Sequence, residues 1–509
     1  MAATFAMAAC SVPPEPPEVA EIDIATLVRT VADGDTSCRQ VIERHLARIE
    51  ALDARLGAII AIRDAALDEA DAIDRAVAAG DPPGPLTCVP ILLKDNIEAD
   101  RLPVTAGSVA LLGHPPGRDA FLVSRLRAAG AVIVAGTNMA EWAFSPRRTM
   151  SSSFGTTVNV YDNSRTPAGS SGGTASAVAA SFGVAGIGTD TGSSIRGPAA
   201  HAGIVGLRPT LGLVSRGGIV PLALDRDTAG PMTRSVADAA RVLDAIAGTD
   251  PDDPYTTEAD TRRNTDYTAA LDADALDGAR IGVLRDWIAT DESPDVEAMA
   301  RFEAVLHTLR VAGAEVIDDV SVAGLVALVD VAGSCRRFSH DIARYFETRD
   351  GAPFGAITEL LDRGDFGPWS EQMLDRVADD DPDVPPADRD PPCPEFADHE
   401  GRQALLAALT DAMDATGVDA LVHPSWTRPP AALGREDVRY GGDLSQALAP
   451  AAGMPAITVP MGYTYGNRPA GLQFIGRRWD DARLLALAYA FEQQIRGRRP
   501  PAGFGPLDD

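Results

Sequence analysis

The stretch over residues 168–209, AGSSGGTASAVAASFGVAGIGTDTGSSIRGPAAHAGIVGLRP, constrains this chain more than any other. Two Gly/Ser clusters, Gly169-Ser170-Ser171-Gly172-Gly173 and Thr191-Gly192-Ser193-Ser194, flank a run of small residues that can pack tightly. Glycine lets main-chain amides approach a ligand closely and adopt positive φ. Serine supplies hydroxyls that become nucleophiles when a base stands nearby. The stretch reads as a hydroxyl-based active site rather than a cofactor cradle.

The surrounding pattern alternates helix and strand. Residues 22–79 carry helix-period apolar spacing, and the DGDTS run within them offers N-cap residues. VPILLKDN reads as a buried strand ending at Lys94-Asp95-Asn96. DAFLVSRLRAAG reads as a helix with Gly130 at its C-terminus, and AVIVAGTNM as the next strand. TASAVAASFG and SVADAARVLDAIAG read as helices; VAGIGT, GARIGVLRD, AGAEVI, DALVHPS and AITVPMGY read as strands. This alternation predicts a single large α/β/α layered fold with a mixed, mostly parallel central sheet covered by helices. The expected domain spans residues 21–509, with surface insertions near 250–274 and 379–394 and a flexible segment over 1–20.

Bulk properties exclude several function classes. With 73 acidic against 45 basic residues the chain carries a net charge of −28, a field that repels phosphate backbones and argues against nucleic acid as a partner. The five cysteines are odd in number and form no C-x-x-C pair, so the sequence indicates neither a disulfide framework nor a zinc ribbon. The seven histidines are scattered, with no H-E-x-x-H, and no metal is expected. No apolar run reaches the roughly 18 residues a membrane helix needs. The apolar run over 1–9 before Cys10 lacks a basic region. A cytoplasmic location is favoured, and an exported or lipid-anchored form is the alternative.

Lys94 follows an apolar strand, where desolvation can lower its pKa enough to make it a base for serine. Residues 168–209 closely resemble the core motif of the amidase signature family, and PILLKDN resembles its catalytic-lysine strand. GTNMAEWAF, RSVADAARVLDAIAG and AAGMPAITVPMGYTYGNRPAGLQFIG resemble further family segments in the usual order.

The resemblance implies a Ser–cis-Ser–Lys triad: Ser194 as nucleophile, Ser170, 24 residues earlier, as bridging residue after a cis peptide, and Lys94 as base. It implies an oxyanion hole from the backbone N–H groups of Thr191, Gly192, Ser193 and Ser194. Ser171, Asp190 and Arg196 are supporting residues; Asn138 and Gln473 lie in family-like motifs without a catalytic role. Two departures stand out. Ser193 replaces a common glycine and would be strained if the loop required positive φ; Ala168 replaces another, with little expected effect.

The expected activity is hydrolysis of carboxylic amide C–N bonds through a seryl acyl-enzyme, without cofactor or metal. Esters, aryl-amides and carbamates are further candidate substrates. The chain is expected to act on a small molecule as a monomer or homodimer. Residues 142–150, 331–354 and the loop after His423 with Trp426 are the candidate pocket. LVSRGGIVPLALDRDTAGPM resembles peptide-amidase-like members. The rivals are a G-x-S-x-G hydrolase with Ser171 as nucleophile and His201, His340, His399 or His423 as base, a glutamine-hydrolysing amidotransferase component, and an inactive scaffold of the same fold.

Overall fold

The computed structural model of the protein describes residues 18–333, 335–349, 353–435 and 441–507. Cys10 and most of the segment over 1–20 lie outside the described residues. Among the described residues, eleven strands form one sheet: β1 Ile59–Ile62, β2 Pro90–Lys94, β3 Val132–Thr137, β4 Ala185–Asp190, β5 Val205–Arg208, β6 Thr228–Thr233, β7 Arg280–Val283, β8 Glu315–Ile317, β9 Ala420–Pro424, β10 Ala456–Thr464 and β11 Arg468–Ile475. Their spatial order is β1-β3-β2-β4-β6-β5-β10-β11-β9-β7-β8.

The α/β layered architecture stands, but the parallel majority does not. Six of the ten neighbouring pairs are antiparallel. Four are parallel: β2 with β3 and β4, and β7 with β8 and β9. The parallel groups are the strands that helices separate in sequence, where crossovers force one direction. The antiparallel centre comes from β5, β6 and the β10–β11 hairpin, which the helix–strand alternation did not disclose. β1 also lies inside a stretch whose spacing reads as helical.

Helix starts follow local chemistry. Ser37 caps Cys38–Leu52 in a capping box with Gln40, and Ser235 caps Val236–Ile246. Gly130, one residue past the Ala129 cap of Phe121–Ala128, takes φ +94°. The strands at the site, β2, β3 and β4, are buried along their whole length.

A second, aromatic core lies apart from the main one. Trp142 meets Phe338 and Phe354 edge-on at 6.0 and 6.1 Å, and Phe144 meets Phe338 at 5.1 Å. It belongs to the helices Phe338–Glu347, Ile357–Arg363 and Glu371–Ala378. Buried Glu141 ties them to the sheet side: it accepts hydrogen bonds from the Gly367 N–H and the Ser370 hydroxyl at 2.9 and 2.7 Å.

The cysteine expectation is overturned. Cys38 is bonded to Cys88, and Cys335 to Cys393. The partners lie 50 and 58 residues apart, so no local spacing motif betrays them. The second bridge anchors the turn-rich segment 379–394. Among the described residues no helix is long and apolar enough to cross a membrane.

Candidate active site

Three elements deliver the site. β2 ends at Lys94, β4 ends at Asp190, and the loop entering helix Gly172–Ala179 carries Ser170. All eight residues of that helix are buried, which its GGTASAVA sequence permits. A Cβ on Gly173 would stand 2.2 Å from the Asn138 carbonyl oxygen, so only glycine lets the helix press this close. The same holds at Gly169, 2.2 Å from the Arg148 carbonyl oxygen. The Gly169–Ser170 peptide is cis.

Lys94 is fully buried. Its Nζ lies 2.7 Å from Ser170 Oγ, 2.7 Å from Thr189 Oγ1 and 3.3 Å from the Thr189 carbonyl oxygen. None of these partners is a carboxylate. Burial drives the ammonium down to about 7, and the Asp190 and Asp227 charges oppose the shift without cancelling it. Thr189 is itself fixed by the Asn96 amide, which donates to its hydroxyl at 3.1 Å. Thr189 was not singled out from sequence, although it lies two residues before the second cluster.

The two serine clusters are joined by the Ser171 N–H, which donates to the Ser194 carbonyl at 3.2 Å. The Ser171 hydroxyl donates to the Thr189 carbonyl at 3.2 Å. The loop 191–194 is held from outside. Asp190 accepts from the Ile195 N–H at 3.1 Å and pairs with Arg196 and Arg208 at 3.2 and 3.0 Å, all three side chains fully buried. Burial alone would raise the Asp190 carboxyl, but the two guanidinium groups outweigh it and hold it below its ordinary value. Arg196 also donates to the Gly192 carbonyl and, at 2.7 Å, to Gln473, whose amide lies 3.0 Å from His423 Nε2. With its carbonyls engaged, the loop leaves the Gly192, Ser193 and Ser194 N–H groups without an acceptor among the described residues.

Ser193 does not have a positive φ; beside the first Gly/Ser cluster it is Ala168 that is left-handed, at φ +67°. The steric cost expected at Ser193 therefore falls on Ala168 instead. The Ser193 hydroxyl donates to Asp443 at 2.6 Å, and burial pushes that carboxyl up to about 6. Asn138 is structural: its amide donates to the Gly155 carbonyl and to Thr157, both at 3.1 Å.

The loop opens on a cleft of about 620 Å³ that Ser194 lines. Of the expected pocket residues, Ala143, Phe144, Pro146 and the 335–338 turn line it. Trp142 and Ala143 take φ +52° and +60°, a bend that delivers Phe144 to the cleft. Trp426 does not line it; 2 % exposed, its ring lies 4.5 Å from that of His201. Arg226, Met373 and Arg376 also line the cleft and were missed, because they arrive from distant segments.

Among the described residues, none of the four candidate histidine bases bonds to a serine of either cluster. His201 and His423 are buried and driven down to about 3 and 4. The His423 and His340 rings meet the Pro424 and Pro382 carbonyls, and His399 caps helix Glu400–Thr416. Among the described residues, one group has metal-ligand spacing, Asp225 with Cys335 and Cys393, and both its sulfurs are held in a disulfide.

These features define a buried lysine–serine site on an α/β sheet. The amidase family model matches residues 40–485, and the chain belongs to that family, the amidase signature family, whose enzymes act on amides. A glutamyl-tRNA(Gln) amidotransferase component of Synechococcus sp. (strain JA-3-3Ab) is 35 % identical over 522 residues, covering 95 % of either chain. Its counterpart in Salinispora arenicola (strain CNS-205) is 36 % identical over 509 residues, 95 % of this chain and 99 % of that one. Among solved structures, native peptide amidase from Stenotrophomonas maltophilia superposes with a TM-score of 0.82 at 38 % identity, over 95 % of this chain and 98 % of that one.

Proposed function

We propose that the chain hydrolyses carboxylic amides of small molecules through a seryl acyl-enzyme, with Ser194 as nucleophile, Ser170 as proton relay and Lys94 as base. The observation that carries this reading is the 2.7 Å contact of a lysine held near pKa 7 with Ser170 Oγ. Neutral Lys94 takes the Ser170 proton, Ser170 takes the Ser194 proton, and Ser194 Oγ attacks the carbonyl. The N–H groups of the 191–194 loop receive the developing oxyanion. The proton then returns through Ser170 to the leaving nitrogen as the C–N bond breaks, and water releases the acid by the same relay. Asp190 and Arg196 position the loop and take no proton. Esters, aryl-amides and carbamates offer the same carbonyl to Ser194.

A panel of amides, anilides, carbamates and esters tests this, with a fluorophosphonate as active-site label. Turnover and labelling of the wild type, both lost in Ser194→Ala, are expected. Turnover surviving in that variant refutes the nucleophile. A role within an amidotransferase complex is the second reading, favoured by the names of the relatives; copurification with a further protein of that complex would support it. The net charge of −28 weighs against tRNA contact by this chain. The two disulfides favour the exported form over the cytoplasmic one, since such bonds persist in oxidising compartments.

A further inference from the structure

The cleft departs from the charge of the whole chain. Its described lining contains four arginines, Arg226, Arg336, Arg337 and Arg376, and no carboxylate. Two of the four are neutralised from behind. Arg336 pairs with Asp380, and Arg337 pairs with Asp341 at 2.6 Å and with Glu395 at 3.0 Å. Arg376, on the exposed face of its helix, reaches Met373 Sδ at 3.5 Å.

Arg226 is different. It is only 8 % exposed, yet among the described residues its Nε and one terminal nitrogen have no hydrogen-bond partner, and it forms no ion pair. Its sequence neighbours are committed elsewhere. Asp225 pairs with Arg402, while Asp227 accepts from the Thr191 hydroxyl at 2.5 Å and from the Leu222 and Ala223 N–H groups at 2.8 and 2.9 Å. Burial lowers the Arg226 pKa from its ordinary value, and the Asp225 and Asp227 charges oppose the shift from a distance without cancelling it, so the site holds a desolvated cation with no carboxylate bonded to it among the described residues. A buried guanidinium left with free donors is a poor device for stability and a good one for taking a planar anion by two parallel N–H···O bonds.

We propose that Arg226 binds a carboxylate carried by the substrate, so that the preferred amides of this enzyme are anionic. The inference rests on the amidase reading above and adds the substrate class to it. The Thr191–Asp227 bond places Arg226 one residue from the support of the oxyanion loop, so a substrate bound at Arg226 has its carbonyl within the same cleft as Ser194.

The test uses the full chain and ω-carboxyalkanamides of graded length, each paired with the uncharged alkanamide of equal length. Two readouts are taken: kcat/KM for hydrolysis, and protection of Ser194 against fluorophosphonate labelling. The carboxylate member of at least one pair is expected to be favoured about 10- to 100-fold, the range for a charge-assisted contact. Arg226→Gln should bring that ratio near one, and Arg226→Lys should leave an intermediate value. Arg226→Met should also unfold at no lower temperature than the wild type, because an unpaired buried charge has been removed. No carboxylate preference in any pair by either readout, or a preference that survives in Arg226→Gln and Arg226→Met, overturns the proposal. Loss of labelling in Ser194→Ala reports on the nucleophile alone, so failure of the amidase reading and failure of the Arg226 assignment are separable.

Discussion

The pH dependence of Ser194 reactivity tests the role of Lys94 without knowledge of the substrate. A base must be neutral to accept a proton. Lys94 is fully buried, and its pKa is lowered to about 7 by desolvation. In the proposed relay Lys94 can accept a proton above that value; below it, Lys94 already carries the proton that it should receive. At about pH 5, roughly 1 % of Lys94 is neutral, so labelling by a fluorophosphonate should slow about a hundredfold from its plateau. The expected profile rises with unit slope to about pH 7 and then levels. Asp443, raised to about 6 by burial and bonded to Ser193, titrates nearby and is separable: Asp443→Asn should remove any lower inflection and leave the upper one. Lys94→Met should cut labelling by roughly a hundred- to ten-thousandfold and abolish the upper inflection. Lys94→Arg should do the same, because a guanidinium does not deprotonate in this range. A wild-type rate flat from about pH 5 to about pH 9, or the same inflection in Lys94→Met, would refute the reasoning.

Three further outcomes are expected. Ala168→Gly relieves a left-handed φ of +67° and should stabilise the fold by about 0.5–1 kcal/mol, read as a higher denaturant midpoint; no gain would show that the loop carries no cost there. Asp190→Asn leaves Arg196 and Arg208 buried without their shared counter-ion and should cost about 3–5 kcal/mol in chemical unfolding; a loss under about 1 kcal/mol would mean the pair is dispensable. Replacing Cys38 and Cys88 by serine opens a link between residues 50 apart and should cost about 4 kcal/mol by chain entropy; the reduced wild type, which loses the Cys335–Cys393 bridge as well, should unfold earlier than the double variant, and an unchanged denaturant midpoint in that variant would show that the bridge carries no stability.

What the sequence made legible follows a physical division. Lys94, Ser170 and Ser194 stand at ends of elements whose apolar or small-residue composition is local, so strand, turn and cluster could be read in place. The helix Gly172–Ala179 and strands β2, β3 and β4 were legible for the same reason. The antiparallel centre of the sheet was not, because β5, β6 and the β10–β11 hairpin owe their directions to partners far along the chain. The disulfides escaped for the same cause: Cys38 and Cys88 sit in a helix and beside a strand that meet only after folding.

The residues that shape the cleft show how far this division reaches. Phe144 was foreseen because it closes a motif; Arg226 and the helix carrying Met373 and Arg376 meet at the cleft from segments far apart in the chain. Ser193 is the sharpest case. Read locally, a serine in place of glycine beside an oxyanion loop signals backbone strain, and that expectation fails because the loop turns without a positive φ there. The strain sits at Ala168, and the Ser193 hydroxyl is spent on Asp443, 250 residues downstream. A substitution that looks like a defect in sequence is, in the folded chain, a link between the 191–194 loop and a buried carboxylate from a distant segment. The backbone of the Gly/Ser clusters is thus written locally, whereas the side chains that line the cleft are brought together by the tertiary fold.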